Sequence, residues 1–331
     1  MKSLSSLLVW AWLMASSFIV SGNMDAFASP IATSAFRFAL ALWLIFMLLV
    51  WQWKRSGLKV KQALVSLLSS KVRCLHYIFI SGTLVGFFIG LFVALKYTTP
   101  LNTSVLYTLV PLMGVFIARV WLGEVLIFLK ICGFVLGSLG ACVILFSHQG
   151  LSDFSAISRV SLLKGINFEI NRGDLIFLLA CFLLALHVVS VQKWGRTLAP
   201  LSGAFMIMLF GLVWLIPITL IWGELGLVKW QQSGFWLNSL YLTLFATLFT
   251  FILQQRLVAS VGASKLLAFS YSIPLWVACY TAFAQQTLSS LLSSGFILGL
   301  VLLGLAYCLI ESHSLVMFKR QRINRWRSSK P

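Results

Sequence analysis

Ala94-Leu95-Lys96-Tyr97-Thr98-Thr99-Pro100-Leu101-Asn102-Thr103-Ser104 is a polar interruption between two apolar runs, and the chain continues from it through Pro111 to Leu122-Gly123-Glu124. A fainter version returns as Val261-Gly262-Ala263-Ser264, then Pro274, then an apolar helix containing glycine. The two prolines lie 163 positions apart, and that shift puts Tyr107 on Ser270 and Thr108 on Tyr271. On either side of these segments the apolar stretches fall into two sets of five. A unit with an odd number of spans can repeat in a bilayer only if its second copy is upside down, which places a shared site near the midplane.

The composition demands a bilayer. The chain has 331 residues, of which 60% are hydrophobic and only 10% charged, and its mean hydropathy is +0.99. A water-soluble domain cannot bury that much apolar surface. A hydrocarbon core about 30 Å thick needs roughly 20 apolar residues per helix. Ten stretches meet that need: 5–22, 31–52, 74–95, 102–121, 126–146, 175–194, 201–223, 236–256, 264–284 and 289–312. The expected fold is therefore all-α integral membrane, with ten transmembrane helices as two inverted five-helix repeats. The first repeat covers 1–146, an extracytoplasmic connector 147–173, the second repeat 174–312, and a basic tail 313–331. Lys2 and Ala26-Phe27-Ala28 imitate a signal peptide, but the intervening run carries Trp10 and Trp12, and its loss would break the repeat.

The net charge of +18 follows the positive-inside rule rather than a nucleic-acid patch. With the N-terminus inside, 19 of the 25 Lys and Arg residues fall on cytoplasmic segments, including the 53–73 loop and the tail from Lys319 to Lys330. Five fall outside (Lys96, Arg159, Lys164, Arg172 and Lys229), and Arg37 lies within a span. Both termini are thus expected on the cytoplasmic side, with the tail against anionic headgroups. The six cysteines lie in or beside spans without a CxxC pair and read as small apolar residues.

At this point the residues resemble a family, the drug/metabolite transporter superfamily and in particular its ten-helix EamA-type members. Trp12 followed by Ser16-Ser17-Phe18 is similar to the first-helix pattern, although a glycine usual after the tryptophan is missing. Pro30 with Phe36-Arg37-Phe38, Ala94 to Thr98 through Pro111 to Glu124, Gly173-Asp174 with Ala185-Leu186, and Gly262-Ala263-Ser264 to Pro274 carry the rest. The position answering Leu122-Gly123-Glu124 in the second half reads Gln285-Gln286-Thr287, without an acid. The resemblance implies a carrier of small solutes, often an exporter of amino acids or related metabolites, in a bacterial cytoplasmic membrane.

The candidate site gathers polar residues inside the spans. Pro111 and Pro274 lie roughly 14–16 Å deep by helical rise, and each removes a backbone donor. Ser104, Tyr107 and Thr108 precede the first and Ser270 and Tyr271 the second, so these two helices are expected to face a central cavity. Arg37, about 9 Å into the second helix, and Lys96 at the outer end of the third would make an outer vestibule positive and suited to a carboxylate. A charge inside a span is a functional-site hypothesis by default, set against snorkelling to the headgroups. His187 is a candidate proton relay. No acid lies deep in a span, and four scattered histidines give no metal-ligand spacing. Neither a metal nor a cofactor is expected, and no nucleotide loop suggests ATP. The expected function is secondary transport of a small organic solute by alternating access, among membrane lipids, without nucleic acid, as a monomer or homodimer. An intramembrane enzyme, or a receptor or scaffold that transports nothing, is the alternative.

Overall fold

The computed structural model describes residues 2–24, 26–98, 103, 106–125, 128–148, 171–284, 286 and 288–310. Ser104, most of the 147–173 connector, Gln285, Thr287 and the basic tail lie outside the described residues. Every regular element among them is helical. Eight helices are long and apolar enough to cross a membrane. They are α1 (Lys2–Met24), α2 (Pro30–Arg55), α4 (Lys71–Ala94), α6 (Phe128–His148), α7 (Arg172–Trp194), α8 (Pro200–Trp222), α9 (Ser233–Val261) and α10 (Ala263–Ala284). Two shorter apolar helices are α5 (Val110–Leu122) and α11 (Ser294–Ile310), and α3 (Val60–Leu68) is a short helix in the basic loop.

The largest departure from the sequence expectation is α5. A span over 102–121 is expected, whereas the continuous helix begins at Val110 and has 13 residues. Thr103, Leu106 and Tyr107 are helical ahead of it, but Thr108 and Leu109 form a turn. Pro111 therefore sits in the first turn of a new helix, where its missing N–H costs nothing. The second proline does the same. Ser270–Ser272 tighten into a 3₁₀ turn, and the helix resumes at Ile273, just before Pro274. A third irregularity was not anticipated: Leu242–Phe249 within α9 is wound as a π-helix.

Helices from before residue 149 pack chiefly on helices from after 171. α4 lies along α7 and α8, α2 along α8 and α9, α5 along α7 and α10, and α1 along α9 and α10. Small residues permit the close approaches, as in other membrane interfaces. A methyl group on Gly90 would stand 2.8 Å from the Ala180 side chain, and one on Gly140 3.1 Å from the Gly299 carbonyl. The outer surface is apolar: Trp51, Trp222, Leu220 and Phe128 are all more than half exposed. Apolar exposure on this scale is stable in lipid and not in water. At the start of α2, Ser29 accepts from the Ala32 N–H (3.2 Å) and donates to the Gly223 carbonyl (2.6 Å), fastening the α1–α2 turn to the end of α8.

Candidate functional site

A cavity of about 260 Å³ opens between α1, α2, α4, α7 and α9. That exceeds more than tenfold the roughly 15 Å³ that one water requires. Ser21, Met24, Pro30 and Leu95 line one end, at the C-termini of α1 and α4 and the N-terminus of α2, and the lining stops at His187 and Gln254. Its body is apolar, with Met14, Leu84, Phe87, Phe88, Leu91 and Phe251.

The polar groups are few and each has a structural cause. Arg37 is held by the π-helical part of α9: its Nε and Nη2 donate to Thr247 Oγ1 at 3.3 and 3.1 Å. Thr247 in turn donates to the carbonyl of Leu242, five residues back, at 2.9 Å. The wider π turn supplies that geometry, and such turns recur at functional sites. Arg37 forms no ion pair among the described residues. His187 is fully buried, and its Nδ1 lies 2.8 Å from the Ile80 carbonyl. A carbonyl only accepts, so Nδ1 carries the proton and Nε2 is left as an acceptor. That Nε2 has no partner among the described residues, and neither does Thr33 Oγ1, which lines the cavity from α2. Ser17 and Ser34 donate to carbonyls of their own helices, Met14 and Pro30, and keep lone pairs free to accept.

The structure divides the sequence-derived candidates. Arg37, Tyr107 and His187 line one cavity, although they come from three separate elements. Thr108, Pro111, Ser270, Tyr271 and Pro274 do not line it, so the two proline-bearing helices are not its facing walls. The reason is local hydrogen bonding. The Tyr271 hydroxyl reaches the Phe134 carbonyl (2.9 Å) and Ser138 Oγ (3.0 Å), and Ser138 donates to the Thr108 carbonyl (2.9 Å). Ser270 donates to the Leu267 carbonyl at 2.6 Å. These groups join α6 to the two proline breaks. Lys96 is exposed beyond the end of α4 and outside the cavity lining. Sequence reading missed Thr33, Thr247 and Gln254, because a lone Thr or Gln in an apolar helix carries no distinguishing pattern.

A second cluster closes the other end of the bundle. Glu124 Oε2 accepts from Ser264 Oγ (2.6 Å) and Lys130 Nζ (3.3 Å), while Oε1 accepts from Gln192 Nε2 (3.1 Å). The Gln192 side-chain oxygen accepts from the Ala263 N–H. Gly123 ends α5 in the left-handed region at φ 69°, which turns Glu124 back toward α7 and α10. Burial pushes the Glu124 carboxyl up, but the bonds from Ser264, Lys130 and Gln192 outweigh it and hold the group below its ordinary value. The cluster ties the α5–α6 turn to the end of α7 and the start of α10.

The chain is a multi-pass helical membrane protein with a cavity walled by helices of its first and second halves. The chain belongs to the EamA-like transporter family, whose model matches residues 1–146 and 171–310. It is 27% identical over 259 residues to the uncharacterized transporter YyaM of Bacillus subtilis (strain 168), covering 78% of each chain. It is also 27% identical over 228 residues to the uncharacterized transporter YvbV of the same organism, covering 68% of this chain and 64% of that one. A solved crystal structure shares the fold with a TM-score of 0.67 at 16% identity, covering 93% of this chain and 95% of the other.

Proposed function

We propose that this membrane transporter is a secondary carrier of a small organic solute that works by alternating access. In this reading α5, with the helical residues ahead of it, and α11 complete ten spans in two inverted five-helix repeats bounded at 1–146 and 174–312. Both termini face the cytoplasm of a bacterial inner membrane. The observation that carries the reading is the pairing of the cavity with the Glu124 cluster. The cavity is walled by helices of both halves and ends at His187 and Gln254. Beyond it, Glu124 bonds residues of α7 and α10. By the distribution of Lys and Arg the cavity mouth is extracytoplasmic and the Glu124 cluster cytoplasmic, so the conformation faces outward. Solute counterflow in proteoliposomes tests it. Exchange of labelled solute against an internal load is expected, with no added nucleotide. Binding without exchange would refute the carrier reading in favour of a receptor.

A further inference from the structure

We infer that the cavity selects an organic carboxylate with an apolar body, its carboxylate on Arg37. This deepens the carrier reading and rests on it. Among the described residues Arg37 is the single charged side chain in the lining, with no Asp or Glu in that lining beside it. Of its five N–H donors, those on Nε and Nη2 share one hydroxyl oxygen. A guanidinium inside a span is costly without a counter-charge, and its planar fork matches a carboxylate with two parallel bonds. An amine-bearing solute would meet that cation, and no acid among the described lining residues pairs its own charge.

The rest of the wall says what the carboxylate is attached to. Phe87, Phe88, Leu91 and Phe251 enclose the space next to Arg37, so a bare inorganic anion would leave apolar surface wet. Arg37 lies seven residues into α2 and His187 fifteen into α7. Both helices begin at the mouth end, where Pro30 lines the cavity and Gly173 packs on Ala94 and Thr98, so the difference in depth is on the order of 12 Å, enough for a ring-sized body between. At the floor, the buried His187 Nε2, without a partner among the described residues, accepts, which favours a hydroxyl or N–H on the distal end of the solute. A site built to receive such a donor discriminates against solutes that leave it unpaired.

The experiment is calorimetric titration of the full chain in nanodiscs of zwitterionic lipid with four probes of one skeleton: 4-hydroxyphenylpropanoate, its carboxamide, tyramine and tyrosine. The acid is expected to bind about tenfold or more tighter than the carboxamide, as a charge-assisted bond requires, and tyramine weakest. Arg37→Gln should bring the acid down to the carboxamide, and Arg37→Lys should keep part of the preference. If Arg37→Gln does not fold, the acid–carboxamide comparison on the unaltered protein decides alone. Equal affinities, tighter binding of tyramine or tyrosine, or binding of none of the four would overturn the inference. So would competition by inorganic phosphate as strong as by the acid. Loss of binding in discs of anionic lipid would make Arg37 a headgroup contact and overturn it equally. Binding of the acid without counterflow would refute transport and leave the carboxylate site standing, whereas counterflow of tyramine but not the acid would do the reverse.

Discussion

Glu124→Ala is the perturbation that most directly separates a gate from a structural staple. The substitution strips acceptors from Ser264 Oγ, Gln192 Nε2 and Lys130 Nζ at once. Each of the first two bonds is to a charged group and contributes about 1.5 kcal/mol at the low end of the usual range. The Lys130 pair is partly exposed, with side-chain exposures of 17% and 25%, and adds well under about 1 kcal/mol. The loss is therefore about 3 kcal/mol, or roughly a hundredfold in the opening equilibrium. Hydrogen–deuterium exchange reads it, because the Ala263 N–H is capped by Gln192, which loses its anchor. Amides of Gly262 to Leu267 should exchange roughly a hundredfold faster. If the cluster is a gate, opening here closes the mouth, and amides at Ser21 to Ser34 should become more protected. Faster exchange at both ends would mean a staple whose loss only loosens the bundle. Unchanged exchange at Gly262 to Leu267 would refute the account of Glu124 altogether.

The same carboxyl sets a pH expectation. Its pKa is depressed below the ordinary 4.5, so its contribution is present above that value and is lost as pH falls through the folded-state pKa; melting temperature and exchange protection at the cluster should stay flat in the neutral range and drop only in acid. Thr247→Val leaves two donors of Arg37 without an acceptor and should destabilise the protein by about 1–3 kcal/mol, measured by thermal melting in detergent, with Thr247→Ser restoring most of it. Tyr271→Phe removes the bonds to Phe134 and Ser138 and should cost about 1 kcal/mol in melting while leaving solute KM unchanged, because the ring lies outside the large cavity; a raised KM would contradict that placement. Gly262→Ala forces a side chain to φ 88° and should cost about 1–2 kcal/mol, seen in the same melt.

What the sequence reveals here is what hydrophobic periodicity and charge bias control. Membrane class follows from apolar run length, and Arg37 stands out because a lone cation in an apolar run is expensive wherever it points. The two prolines are legible as breaks, but the side on which their neighbours bond is not. Tyr107 and Tyr271 look equivalent at a shift of 163, yet Tyr107 borders the large cavity and Tyr271 reaches into α6, because Ser138 and the Phe134 carbonyl lie on that side. Nothing local to Tyr271 encodes those partners. The π-helical turn is harder still to foresee. Its residues, Leu242 to Phe249, read as an ordinary apolar helix, and the one-residue shift in the backbone is accompanied by hydroxyl bonds to carbonyls five back, from Thr247 to Leu242 and from Thr250 to Phe245. That shift sets Thr247 against Arg37, so the anchor of the guanidinium depends on a backbone irregularity that composition does not announce. Glu124 shows the converse. Its lack of an acidic counterpart in the second half is plain in the sequence, and the structure gives the asymmetry a physical form: one end of the bundle is tied by a carboxylate that accepts from three side chains.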